Sequence, residues 1–219
     1  MTDLRQALER ARLYLVCDAL DDAFLDAALR GGVGIVQLRM KDAPDEAIVA
    51  AGRRFAAVCG AHGAPFILND RPDLVAAAGA DGVHVGQDDV PLAEARRLVG
   101  PERLVGLSTH SPEQVEAAAD LADIDYTGVG PIHATPTKPG RPAVGLELIR
   151  SAAERTAAPF FAIGGVDQGN VAAVAAAGAR RIAVVRALTE AEDPEAAARA
   201  LRATLEHPQT SEGGVGAAR

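Results

Sequence analysis

Residues 65–100 read PFILNDRPDLVAAAGADGVHVGQDDVPLAEARRLVG, and this stretch shows the same cycle twice. An apolar run, Pro65–Leu68, gives way to the polar Asn69-Asp70-Arg71, and a helical stretch, Pro72–Ala78, opens on proline and stops at Gly79. The second cycle is Gly82–Val85, the polar Gly86-Gln87-Asp88-Asp89, a helical stretch Pro91–Leu98, and a stop at Gly100. Proline fits the first helical turn, where its missing N–H has no partner to lose, and glycine accepts the left-handed turn that ends a helix. Working outward, further strands are expected at Leu13–Cys17, Gly34–Leu38, Leu104–Leu107, Ile124–Gly128, Phe160–Ile163 and Arg181–Val185. Helical stretches follow at Asp21–Arg30, Pro44–Ala61, Pro112–Ala119, Gly145–Thr156, Gln168–Ala176 and Pro194–Leu205. Eight βα units in 219 residues leave no room for a second domain. Strict alternation requires parallel strands with helical crossovers, and eight of them favour closure into a (β/α)8 TIM barrel over an open doubly wound sheet. No GxGxxG follows the first strand, as a dinucleotide-binding fold would require. The expected organisation is a catalytic barrel over residues 1–206 and a polar, Gly-rich tail over residues 207–219.

Composition narrows the partners. A formal net charge of −8 argues against nucleic acid, whose phosphates call for a basic surface, and against an anionic membrane surface. Met1-Thr2-Asp3-Leu4-Arg5 opens a charged amphipathic stretch, unlike a secretion signal, and no uncharged apolar run reaches the ~18 residues of a membrane span. The expectation is a cytoplasmic enzyme for small molecules, with oligomeric state, a homo-oligomer included, left open. Cys17 and Cys59 lie in apolar surroundings and read as small core residues, away from any zinc-ligand spacing. Of 22 basic residues only two are lysines, Lys41 and Lys138, which marks both positions for attention.

In such a barrel the chemistry sits at the C-terminal ends of the strands. The second strand runs Val36-Gln37-Leu38-Arg39-Met40-Lys41, and side chains alternate. The face that packs on helices must be apolar, so Gln37, Arg39 and Lys41 are expected to point into the barrel mouth. The third strand ends in Asn69-Asp70, either an Asx turn or a ligand pair. The fourth ends in Gln87-Asp88-Asp89, where a carboxylate could equally cap the next helix. Together these ends place carboxylates and amides beside Arg39 and Lys41, a hard oxygen donor set that suits Mg²⁺ shared with phosphates. His84 reads either as a hydrogen-bonded structural histidine or as a substrate contact, and Ser108 either as a contact or as a helix cap. The segment 128–142 is long for a βα connection, and its Thr135, Thr137, Lys138 and Arg141 offer hydroxyl and cationic contacts to anions. Ile163-Gly164-Gly165 and Val184-Val185-Arg186 end the last two strands, where this fold usually cradles a phosphate on backbone N–H groups.

Taken in order, Tyr14–Asp18, Gln37–Asp42, Leu68–Arg71, Gly82–Asp89, Gly106–His110, Asp125–Lys138 and Ala162–Val166 resemble the thiamine-phosphate synthase family, over about Leu13 to Leu188. The Asn-Asp, Gly-Gln-Asp-Asp and Thr-Pro-Thr-Lys pieces are the specific ones. The resemblance implies a transferase that joins hydroxymethylpyrimidine diphosphate to a thiazole phosphate, releasing pyrophosphate by a dissociative path. It implies that Gln37, Leu38, Arg39, Met40, Lys41, Asn69, Ser108 and Lys138 hold the pyrimidine diphosphate. It likewise implies Asp70 and Asp89 as Mg²⁺ ligands, and Thr135, Pro136, Thr137, Gly165, Val185 and Arg186 around the thiazole phosphate. Arg39, Lys41 and Lys138 would be the catalytic cations. The chain departs from the family at Arg186, where serine is common, which is harmless if the contact is a backbone N–H. One rival reading is a Schiff-base aldolase with Lys138 as nucleophile, but Lys138 lies in a proline-rich loop, not desolvated within a strand. The other is a non-catalytic sensor or a thiazole-processing relative that binds without joining, which would not need both carboxylates and the lysine.

Overall fold

The computed structural model describes residues 3–134 and 142–206, and its eight strands close into an all-parallel barrel in chain order. The strands are β1 Leu13–Cys17, β2 Ile35–Leu38, β3 Phe66–Asn69, β4 Gly82–Val85, β5 Leu104–Thr109, β6 Tyr126–Val129, β7 Phe160–Ile163 and β8 Ile182–Val184. The alternation read from the sequence sorts their side chains into two shells. Val36, Leu38, Val83, Val85, Val105 and Leu107 face outward into the larger core beneath the helices. Tyr14, Val16, Ile35, Ile67, Leu104, Tyr126, Phe161 and Ala183 fill the barrel interior. A one-residue slip of any strand would exchange the two shells, so the register is set by burial on both faces.

The outer ring consists of α2 Asp22–Arg30, α3 Asp45–His62, α4 Val75–Ala78, α5 Leu92–Val99, α6 Pro112–Ala119, α7 Gly145–Arg155, α8 Val171–Ala176 and α10 Pro194–Glu206, with the short α9 Arg186–Thr189 after β8. An additional helix, α1 Leu4–Arg10, opens the described chain. Asp3 caps it by accepting the N–H groups of Arg5 and Gln6, and Leu8 with the following Ala11 joins the interior cluster, so α1 closes the barrel at its N-terminal end. Two expected helices are shortened. Pro72–Ala78 splits into a 3-10 turn, Pro72–Leu74, and α4, the N–H of Leu74 bonding the carbonyl of Arg71 at 3.2 Å. α8 starts at Val171 because Asp167 and Asn170 first form a side-chain-bonded turn: the Asp167 N–H donates to Asn170 Oδ1 at 3.0 Å and the Gly169 N–H to Asp167 Oδ1 at 2.9 Å. Cys17 and Cys59 are buried free thiols. Among the described residues no helix is long and apolar enough to cross a membrane.

Candidate active site

A cavity of about 770 Å³ opens at the C-terminal ends of the strands. Gln37, Arg39 and Lys41 line it, whereas Leu38 is buried in the outer core and Met40 packs against that core, as the alternation requires. Of the eight residues assigned to the pyrimidine diphosphate, the cavity therefore gathers Gln37, Arg39, Lys41, Asn69 and Ser108. Lys138, with Thr135, Pro136, Thr137 and Arg141, lies outside the described residues.

Asn69, Asp70, Asp88 and Asp89 enter from the ends of β3 and β4. Asp70 adopts a left-handed backbone, φ 59°, while its N–H bonds the His84 carbonyl at 2.9 Å. Burial, then a hydrogen bond and like charge from Asp89, push the Asp70 carboxyl up to about 6, against the opposing pull of Asn69 and Lys41. Neither carboxylate serves as a helix cap. The cap position of α5 is Pro91, without a side-chain bond, and Asp89 Oδ2 accepts the Gly86 N–H at 2.8 Å. Ser108 is no cap either, since Ser111 holds that place for α6. Two facing carboxyls with an amide alongside are a donor set for a hard divalent cation that keeps other positions for water or phosphate. Among the described residues no cluster of three or more His, Cys, Asp or Glu side chains exists to offer a closed metal cage.

His84 is hydrogen-bonded within the protein and also faces the cavity. Its ring bonds inward to Tyr126 Oη (3.3 Å from Nδ1) and outward to Ser108 Oγ (2.9 Å from Nε2). Gln87 steadies the same strand end, its Nε2 donating to the Ser108 carbonyl at 2.7 Å. On the far side of the mouth, Gly165, Val185 and Arg186 line the cavity. Gly165 needs its φ of 63°, and a β-carbon there would meet the His133 Cβ at 2.8 Å. The Arg186 guanidinium is half-exposed and stands 3.9 Å from Glu190 on its own short helix.

Sequence reasoning missed the cavity floor: Tyr14 and Phe161, with Tyr126 beneath His84. A signal was present, because the chain has only two tyrosines and both fall on barrel strands. Their hydroxyls meet at 2.8 Å, and both rings stack edge-on with Phe161 at centroid distances of 5.2 and 5.7 Å.

Comparison with known proteins shows the family. A family model described as thiamine monophosphate synthase matches residues 13–188. A thiamine-phosphate synthase of Gloeobacter violaceus is 54% identical over 195 residues, which cover 88% of this chain but only 57% of that protein. A thiamine-phosphate synthase of Saccharopolyspora erythraea is 51% identical over 214 residues, covering 92% of this chain and 96% of its own length. The solved thiamine phosphate pyrophosphorylase from Pyrococcus furiosus superposes with a TM-score of 0.83 at 31% identity, over 94% of this chain and 100% of that one. With the match running from β1 to the helix behind β8, and half the residues shared across nearly the whole barrel, the chain belongs to the thiamine monophosphate synthase family.

Proposed function

We propose that this chain joins 4-amino-2-methyl-5-hydroxymethylpyrimidine diphosphate to a thiazole phosphate, giving thiamine phosphate and pyrophosphate, with Mg²⁺ held by Asp70 and Asp89. The observation that carries the reading is the convergence of Arg39, Lys41, Asp70 and Asp89 on the rim of one cavity. Burial and the neighbouring Asp89 destabilise the charged form of Asp70, which a shared divalent cation would relieve, so the donor set fits the ion. When bound, Mg²⁺ supplies Lewis-acid neutralisation of the departing diphosphate.

The bond from the pyrimidine methylene carbon to the diphosphate oxygen breaks, and its electron pair leaves with the diphosphate. Arg39 and Lys41 are fixed positive groups at the rim, the preorganised electrostatics that lower such barriers most. The electron-rich aminopyrimidine carries the transient cation, and the thiazole nitrogen closes the new C–N bond, so no protein nucleophile is needed. Gln37, Asn69 and Ser108 orient the pyrimidine from one side. Gly165 and the backbone at Val185 and Arg186 receive the thiazole phosphate on the other, with Thr135–Thr137 and Lys138 completing the reactant contacts. On the same reading the enzyme works in the cytoplasm.

The test is incubation of the purified protein with both phosphorylated heterocycles, with Mg²⁺ or with excess chelator. Thiamine phosphate and pyrophosphate should appear in equal amounts and only with the metal. Absence of both products with Mg²⁺ present would sink the reading.

A further inference from the structure

Five polar side chains form one line of hydrogen bonds that leaves the cavity at Gln37, passes through the barrel interior and returns to the cavity at Ser108. Gln37 Nε2 donates to Tyr14 Oη at 2.7 Å, and the hydroxyls of Tyr14 and Tyr126 meet at 2.8 Å. Tyr126 Oη then stands 3.3 Å from His84 Nδ1, whose other nitrogen, Nε2, is 2.9 Å from Ser108 Oγ. Gln37, Tyr14, Tyr126 and Ser108 are all buried, so each link must be satisfied within the protein. Burial also drives both phenol pKa values up, which keeps each hydroxyl protonated.

A phenol has one proton, so a line in which each hydroxyl passes its proton to the next runs in one of two senses. In the sense that starts with Gln37 as donor, Tyr14 accepts from the Gln37 amide and gives its proton to Tyr126. Tyr126 in turn gives its proton to His84 Nδ1. The imidazole proton then sits on Nε2 and points at Ser108 Oγ. Ser108 is left with its own proton to offer the cavity, and Gln37 is left with Oε1 as an acceptor. The opposite sense would turn Gln37 into a donor towards the cavity and bind the Ser108 proton to His84.

We propose that Tyr126 is a positioning residue for the pyrimidine: by holding His84 as its Nε2–H tautomer, it presents Ser108 as donor and Gln37 as acceptor. An aminopyrimidine offers the complementary set, an exocyclic N–H and a ring nitrogen lone pair. Its 4-oxo counterpart offers a carbonyl and a ring N–H, and mismatches both. The line thus sets selectivity for amino over oxo substrates, which rests on the substrate reading given above. A site that leaves buried polar groups unpaired rejects the wrong analogue strongly.

Nitrogen-15 NMR of histidine-labelled protein reads the tautomer without any turnover. Wild-type His84, assigned by its loss in His84→Gln, should show Nε2 protonated and Nδ1 not, in free protein. Tyr126→Phe keeps the ring and its stacking, and should mix the two tautomers. In that variant KM for the pyrimidine diphosphate should rise about tenfold, the scale of one lost hydrogen bond, with a smaller change in kcat. Its preference for the amino over the 4-oxo diphosphate, taken as a ratio of kcat/KM, should fall by a similar factor. A wild-type His84 protonated on Nδ1 overturns the proposal, as does a Tyr126→Phe enzyme with unchanged tautomer and unchanged ratio. If that variant does not fold, the wild-type tautomer and calorimetric binding of the amino and oxo diphosphates decide alone, equal affinities overturning it. Failure to form thiamine phosphate while the tautomer and the binding preference hold would instead count against the condensation reading.

Discussion

Gly106 faces the Tyr126 ring so closely that a β-carbon in its place would lie 2.2 Å from Tyr126 Cζ and 2.5 Å from His84 Nδ1. The register explains the crowding, because Gly106 pairs with His84 on one side and with Tyr126 on the other, and both side chains lean over it. Glycine here is a requirement of close approach and not of backbone freedom. Gly106→Ala should therefore overpack the interior and destabilise by about 1–3 kcal/mol, seen as a lowered urea midpoint with little change in slope. Unchanged stability would mean that the rings can move aside.

The paired carboxyls give a second expectation. Asp70→Asn and Asp89→Asn each remove one charge from the proposed cation site while keeping an oxygen for local bonds, such as the one from the Gly86 N–H to Asp89. Turnover at limiting Mg²⁺ should drop on the order of a hundredfold or more, the scale for deleting one element of a preorganised electrostatic site. Thermal melts in chelator should stay near wild type, and full activity in either variant at limiting Mg²⁺ would refute the assignment.

At the opposite end of the barrel, Asp125 ties three elements together. It accepts Arg5 Nε of α1 at 2.9 Å, Arg96 Nη2 of α5 at 2.6 Å and the Val105 N–H of β5 at 2.8 Å, with its side chain only 7% exposed. Arg96 is likewise mostly buried, so losing its carboxylate partner leaves a charge poorly compensated. Asp125→Ala should cost about 3–5 kcal/mol, the range for breaking a buried pair from one side. Its KM values, measured below the melting transition, should match wild type, because this face of the barrel carries stability and not chemistry.

Asp81 predicts a pH effect of definite sign. It opens the turn before β4 and accepts the Phe66 N–H at 2.9 Å, yet burial raises its pKa despite that bond and the nearby Arg103. A raised folded pKa means the folded state favours the protonated acid, so the stabilisation is full below the unfolded value of about 3.9 and is lost as pH climbs through the folded value. Asp81→Asn retains an acceptor for Phe66 and has no charge to desolvate. Its urea midpoint should exceed wild type at pH 7, and the gap should close towards pH 4. A gap independent of pH would remove the charge from the explanation.

What the sequence disclosed follows from where polarity is forbidden. A barrel strand packs helices on one face, so Gln37, Arg39 and Lys41 had only the mouth to point into, and they line it. The carboxylates at the ends of β3 and β4 were legible for the same reason. The relay was not, because Tyr14 and Tyr126 look like core aromatics until their hydroxyls are placed together. Nor was α1, whose LRQALER offers few apolar positions and gains its stability from plugging the barrel with Leu8. Helix starts slipped where Asp167 and Asn170 satisfied backbone N–H groups first.

Arg186 separates two ways of holding a phosphate. Arg186 opens α9, where first-turn N–H groups have no intrahelical partner, and its guanidinium stands near Glu190 on the same helix. If the backbone receives the thiazole phosphate, Arg186→Ser should leave its KM within about threefold, since a half-exposed side-chain charge contributes little. Gly165→Ala should behave differently. Its backbone is left-handed at φ 63°, and the added methyl would strike His133 at 2.8 Å, displacing the loop that lines this side of the cavity. There KM for the thiazole phosphate should rise about tenfold or more while KM for the pyrimidine diphosphate holds. The reverse ranking, with Arg186→Ser the more damaging, would move the phosphate contact from the backbone to the guanidinium.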